Sequence, residues 1–290
     1  VIVITTPTGA IGAEVAELLH ATGAPLRLIA RDPSHLPQAL RDYAEVVPGS
    51  HADPAVLDAA LTGADALFVL VPPDFGTTDL TEHYLGFARP IAAAVRAHGV
   101  PRVVAVSSLG RGFDGPVTPL SACWAMDEVL ESSGAAYRSL EAPFFMSNLL
   151  LQVARIRDQN MFTLAAGPDM PLAAVATTHI AHTAAELLAY PTWSGQQGIP
   201  VREPVDRTPR EMAEIMSEAL GRPIAYHQTP LPEYRARYES LGGSPAVVDG
   251  MIELVQAHAA GIYPPASGGG TGTTFDEWCR SVLAPAVARG

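Results

Sequence analysis

The opening segment constrains the architecture more than any other part of the chain. Residues 1–5 are a β-branched apolar run, Thr6 to Gly12 is a glycine-containing turn, and residues 13–21 carry Val15, Ala16, Leu18 and Leu19 at helical spacing until Gly23. A strand that is apolar throughout, rather than at alternate positions, has both faces covered, as in a parallel sheet. The unit then recurs. Strands are expected at 26–30, 46–47, 66–71, 103–106 and 137–140, and helices at 54–61, 84–98 and 126–133. Strands alternating with helices in this way predict an α/β chain with a doubly wound parallel sheet of the Rossmann type.

After Asn148 the alternation loosens. Helices are expected at 178–189 and 209–220, one or two more over 233–261, and a last one at 275–287. Residues 267–273 form a glycine-rich segment, read as a mobile loop. The expected division is a dinucleotide-binding domain over 1–150. A mixed, mainly helical part over 151–290 would carry a substrate cap, with residues near 175–200 packing back on the first domain.

The turn after the first strand carries the clearest functional signal. Gly9 and Gly12 stand at the last two glycine positions of a dinucleotide fingerprint, and Thr6 stands where its first glycine lies. Such a turn brings backbone amides at a helix N-terminus to a diphosphate. Thr6, Thr8, Gly9, Ala10, Ile11 and Gly12 are therefore candidate cofactor contacts. Arg31 ends the second strand, nineteen residues after Gly12. An acid there suits the ribose hydroxyls of NAD, whereas an arginine suits the 2′-phosphate of NADP. Asp32 follows directly and leaves NADH open beside NADPH. Val71 and Pro72, at the end of the fourth strand, fall where the chain passes the cofactor.

Composition narrows the partners. The net charge of −12 disfavours nucleic acid. No run is long enough to span a membrane, and no charged region precedes the first strand, so a cytoplasmic location without a signal peptide is expected. Two cysteines, Cys123 and Cys279, are too few for a disulfide framework. All 18 basic residues are arginine, so no step in this chain uses a lysine amine.

The chain resembles the NmrA-like family of atypical short-chain dehydrogenases/reductases. The resemblance rests on several segments in order: Thr5 to Gly12; Ala30-Arg31-Asp32-Pro33; Val106-Ser107-Ser108; Ser132 to Tyr137 running on to Phe144-Phe145-Met146-Ser147-Asn148; Arg207 to Ala213 with Leu220 to Ile224; and Thr274 to Arg280. It implies NAD(P)H across the C-terminal edge of the sheet and a small C-terminal substrate-binding part. Ser107, Pro143, Phe144 and Phe145 then join the candidate cofactor contacts. Trp124, Phe145 and Met146 are candidate substrate contacts.

In typical relatives a tyrosine donates the proton and a lysine four residues on assists it. By resemblance those places fall at Pro119 and Cys123, and neither side chain can do this work. Ser108 is the candidate catalytic residue, as hydrogen-bond donor to a developing alkoxide, ahead of Ser107. Tyr137, His179 and Tyr226 are further candidate acids. His179 and His182 lie three apart on a helix without a third ligand nearby in sequence, so no metal is expected. The expected function is NADPH-dependent reduction of a ketone or quinone on a flat polycyclic aromatic, as in actinobacterial polyketide tailoring of the angucyclinone kind. The alternative is a non-catalytic NADP(H) sensor that contacts a protein partner.

Overall fold

A computed structural model describes residues 1–266 and 272–289 of the chain. The element order is β1 (Ile2–Thr5), α1 (Ala10–Ala21), β2 (Leu26–Ala30), a 3-10 turn (Pro33–His35), α2 (Gln38–Tyr43), β3 (Glu45–Pro48), α3 (Pro54–Leu61), β4 (Ala66–Val69), α4 (Leu80–His98), β5 (Arg102–Ser108), α5 (Thr118–Glu131) and β6 (Ala136–Ala142). There follow β7 (Phe144–Phe145), a 3-10 stretch (Met146–Gln152), α6 (Val153–Gln159), β8 (Met161–Leu164), β9 (Ala174–Val175), α7 (Thr177–Ala189), β10 (Gln196–Pro200), α8 (Pro209–Leu220) and β11 (Ala225–Gln228). The chain ends with α9 (Leu231–Ser240), α10 (Pro245–Ala259), α11 (Phe275–Trp278), a π turn (Cys279–Leu283) and α12 (Ala284–Arg289).

Seven strands form one sheet in the order β10-β6-β5-β4-β1-β2-β3, with every pairing parallel. The order reverses between β1 and β4, so a crevice opens there at the carboxyl ends of the strands, where this class of sheet binds ligands. Apolar side chains fill both faces. Val15, Leu19, Ile180 and Leu188 of α1 and α7 pack on Ile4, Leu28 and Phe68. Leu57, Ile91, Val95 and Met126 of α3, α4 and α5 pack on Val3, Leu67, Val103 and Tyr137.

A separate core of Met146, Phe162, Met216, Phe275 and Trp278 holds the C-terminal part together. It includes the two-stranded pair β8–β11 and is reached through β7, which pairs with β9. The helices α9 and α10 turn back over the carboxyl edge of the main sheet. Ser244, the N-cap of α10, donates through its amide to the Phe75 carbonyl (2.8 Å) and through its hydroxyl to the Thr77 carbonyl. Glu253 Oε2 accepts from the Thr118 amide (2.8 Å) and hydroxyl (2.6 Å) at the start of α5.

Several elements run longer than the sequence predicts. The helix expected at 84–98 begins at Leu80, because Asp79 caps it by accepting from the Glu82 amide. The helix expected at 126–133 begins at Thr118, under a cap supplied by Glu253 of a distant helix. Most of the glycine-rich segment at 267–273 lies outside the described residues. No helix among the described residues is long and apolar enough to cross a membrane.

Candidate active site

The turn from β1 into α1 is built for close approach. A Cβ on Gly12 would fall 2.3 Å from the Thr6 carbonyl oxygen, so only glycine lets the helix sit this near the strand end. Gly9 is the N-cap of α1 and no side chain caps the helix. The amides of Ala10, Ile11 and Gly12 therefore have no intrahelical acceptor and carry the positive end of the helix dipole. Thr6 adopts φ +50°, the left-handed region, where a β-branched residue is strained by about 1–3 kcal/mol. Its hydroxyl is buried with no hydrogen-bond partner. Thr8 and Ala10 are exposed, while Ile11 is buried in the core. Unpartnered amides, a backbone cradle that a Cβ would fill and an orphaned hydroxyl together fit the diphosphate of a dinucleotide.

At the end of β2, Arg31 is exposed. Asp32 is engaged locally. Its carboxylate accepts from the Ser34 amide (2.9 Å) and hydroxyl (2.6 Å), which hold it below the usual carboxylate range. This leaves Arg31 as the side chain at this strand end suited to an anion. His51, a residue the sequence does not single out, lies near it in a buried position, tilted on Phe87 at 4.6 Å. Burial is the main force pushing its pKa down to about 4, and Arg31 adds to the shift. Its Nε2 has no partner. The Thr5 hydroxyl accepts from the Leu70 amide at 3.0 Å, tying the ends of β1 and β4 together. Beyond them, Val71 is buried and the Pro72 carbonyl is bonded to His83 Nε2 at 2.8 Å.

Ser107 and Ser108 end β5 and are both buried. The Ser107 hydroxyl donates to Asp127 Oδ2 at 2.6 Å. Asp127 also accepts from Tyr137 (2.6 Å), Ser139 (3.0 Å) and Arg111 (2.5 Å). Burial raises the pKa of its carboxyl, against these four partners. Ser108 points elsewhere: its hydroxyl lies 3.3 Å from the Leu109 carbonyl and 3.5 Å from that of Ala142. Its own carbonyl accepts from Trp124 Nε1 at 2.9 Å. Trp124 packs with Phe113 and Tyr263 around Val117, Leu120, Ala257 and Ile262, an apolar wall between α5 and the cap.

Past β6, Pro143 is buried, and Phe144 and Phe145 are half-buried in β7. Met146 is wholly buried in the C-terminal core. Tyr137 is buried in the Asp127 network. Tyr226 donates to the carbonyls of Leu164 (2.9 Å) and Ala166 and lines a small cleft on α8 and β11, outside the main sheet. His179 is half-buried against Gly272, and burial lowers its pKa. His182 bonds the Thr178 carbonyl at 2.8 Å instead. Cys123 is buried, and burial pushes its thiol up to about 12. Pro119 packs against Gly250 of the cap. No group of three His, Cys, Asp or Glu among the described residues is placed to hold a metal ion.

The chain has counterparts among known proteins. A family model described as NAD(P)H-binding matches residues 7–191. The chain is 26% identical over 286 residues to the NAD(P)H azoreductase of Xenophilus azovorans, covering 97% of each. It is 32% identical over 230 residues to the (4-alkanoyl-5-oxo-2,5-dihydrofuran-3-yl)methyl phosphate reductase of Streptomyces griseus, covering 78% of this chain and 76% of that protein. Among solved structures, the NADPH-dependent quinone oxidoreductase of Escherichia coli in complex with NADPH superposes with a TM-score of 0.78 at 22% identity, covering 100% of this chain and 99% of that one.

Proposed function

The chain belongs to the NAD(P)H-binding family, and from that premise we propose that this NAD(P)H-dependent oxidoreductase uses NADPH to reduce a ketone or quinone on a flat polycyclic aromatic substrate. The observation that carries the reading is the Gly12 cradle, which leaves the amides of Ala10 to Gly12 facing the crevice at the reversal of strand order. Arg31, clear of Asp32, selects the 2′-phosphate. With the adenosine end over β2 and the diphosphate at α1, the nicotinamide end falls toward β4 and β5, beside Val71, Pro72, Ser108 and Pro143 to Phe145. A reduced nicotinamide there supplies hydride.

The chain's own residues orient and shield. In this reading Trp124 and Phe145, which pack in separate apolar clusters, supply flat side chains for a planar ring system, and the Phe75 ring stacks on Tyr238 of the cap at 6.3 Å. In this reading the Ser108 hydroxyl turns from the Leu109 and Ala142 carbonyls to donate to a developing alkoxide. In this reading residues 1–150 bind the cofactor and 151–290 carry the substrate part. Relatives named as reductases support the reaction class. Ketones of the angucyclinone type are the first substrates to try.

The test is spectrophotometric: NADPH oxidation against a panel of aromatic ketones and quinones. Turnover with at least one compound is expected. Tight NADPH binding with no turnover on any of them would replace this reading with that of a redox sensor, which the missing lysine favours.

A further inference from the structure

A chain without lysine, with Pro119 and Cys123 on its α5 helix, still needs a proton for the oxygen of a reduced ketone. One phenol is carried to the right strand end from far along the sequence. Tyr263 follows α10, and the segment that holds it is pinned on every side. Ile262 donates its amide to the Ala257 carbonyl at 3.1 Å. Its side chain fills the space over Gly110, where a Cβ would come within 2.8 Å of it. The Pro264 carbonyl accepts from Arg202 at 2.7 Å, and the Ala266 amide donates to Asp206 at 3.0 Å. Arg202 and Asp206 are themselves an ion pair.

Held in this way, the Tyr263 ring lies against the His258 ring at 4.8 Å and packs with Trp124. Trp124 in turn donates to the Ser108 carbonyl at 2.9 Å, which puts the phenol beside the end of β5. The element that covers the crevice therefore delivers an O–H group to the strand end that faces the nicotinamide half.

We propose, resting on the reductase reading above, that Tyr263 is the proton donor, giving its phenolic proton to the oxygen of the carbonyl that accepts hydride. The carbonyl carbon gains hydride from the reduced nicotinamide, and both electrons come with it. The π pair of the C=O bond moves onto oxygen. The Tyr263 O–H bond breaks as the alcohol O–H bond forms, and the phenolate regains a proton from water before the next turnover. Ser108, one of the groups that lower the Tyr263 pKa, steadies the phenolate.

The groups around the phenol are His258 on α10, Cys123 on α5, Ser108 on β5 and Arg202 after β10. Burial is the largest influence and raises its pKa; Ser108 and Arg202 act against it and Cys123 adds to it. His258 is itself held neutral, with burial pushing its pKa down to about 4. The phenol keeps its proton across the neutral range, as a donor must.

Tyr263→Phe preserves the ring packing and removes only the hydroxyl. The two acceptor classes separate a chemical role from a structural one. A ketone yields an alkoxide, which needs a strong donor, whereas a quinone yields a far less basic phenolate. The variant should bind NADPH as the wild type does, by fluorescence titration. It should lose about 10²–10⁴-fold in kcat on an aryl ketone, with KM little changed, and under about tenfold on a quinone. An equal loss on both acceptors, or an unchanged ketone rate, overturns the assignment, and so does a wild type that reduces quinones but no ketone. A wild type that binds NADPH and reduces neither class overturns the reductase reading instead.

Discussion

Gly12 and Thr6 form a pair whose constraints oppose each other. The glycine admits a backbone contact that no other residue tolerates, while the threonine holds a left-handed conformation that glycine would adopt without strain. Such strain persists when the surrounding structure demands it, and here it leaves a buried hydroxyl aimed away from any protein partner. Arg31 is the residue on which the proposed choice of NADPH turns. Arg31→Ala should weaken NADPH by about tenfold to a hundredfold, the loss of one charge-assisted pair, and leave NADH nearly untouched; titration of both coenzymes checks it, and equal weakening would contradict the 2′-phosphate role. The Gly9 and Gly12 turn is legible in the sequence because its close approach is local, set by spacing along one strand–turn–helix unit. His51, Asp127 and Tyr263 are not. Asp127 gains its meaning from Ser107, Tyr137 and Ser139 on two neighbouring strands, and Tyr263 from its packing with Trp124, far off in sequence.

Strands β1, β2, β4 and β5 were legible because each is apolar enough to be buried on both faces, while β3 and β6 were marked only by the short runs 46–47 and 137–140. The seventh, β10, was not. Its sequence Gln196–Pro200 is polar, it pairs only with β6, and Gly198 leaves room for the Glu141 carboxylate, which a Cβ would meet at 2.1 Å. Helix starts were misplaced where a cap came from elsewhere, as Glu253 does for α5. Glu203, just past β10, joins two elements: its buried carboxyl accepts from the Phe275 amide at 3.1 Å at the start of α11. Burial raises its pKa from 4.5 to about 7. Between those values the native state holds a proton that the unfolded chain has released. Stability is therefore highest at the acid end of the window, falls as pH rises from 4.5 to about 7, and is level above it. At 1.36 kcal/mol per unit the whole effect is of order 3 kcal/mol. Glu203→Gln keeps an acceptor and carries no charge. Denaturant melts should show it close to wild type at pH 5 and more stable by about 1–3 kcal/mol at pH 8; parallel pH profiles would remove Glu203 from the linkage.

At the scale of the molecule, a parallel sheet offers a crevice at its carboxyl edge, and the C-terminal part folds around its own core of Phe162, Phe275 and Trp278 before sending α9 and α10 back across that crevice. The doubly wound sheet was predictable from alternation alone. The return of the cap was not, because Ser244, Glu253 and Ile262 make their contacts with Phe75, Thr118 and Gly110 through the tertiary fold. In the proposed mechanism cofactor binding and proton supply come from opposite ends of the chain and meet at the end of β5. The account stands on a dinucleotide seated against the start of α1, and a crystal structure of the protein soaked in NADPH tests this directly. Diphosphate oxygens within hydrogen-bonding distance of the Ala10, Ile11 and Gly12 amides are the predicted result, with the 2′-phosphate at Arg31. An empty turn at saturating NADPH, or the coenzyme bound elsewhere, would contradict it.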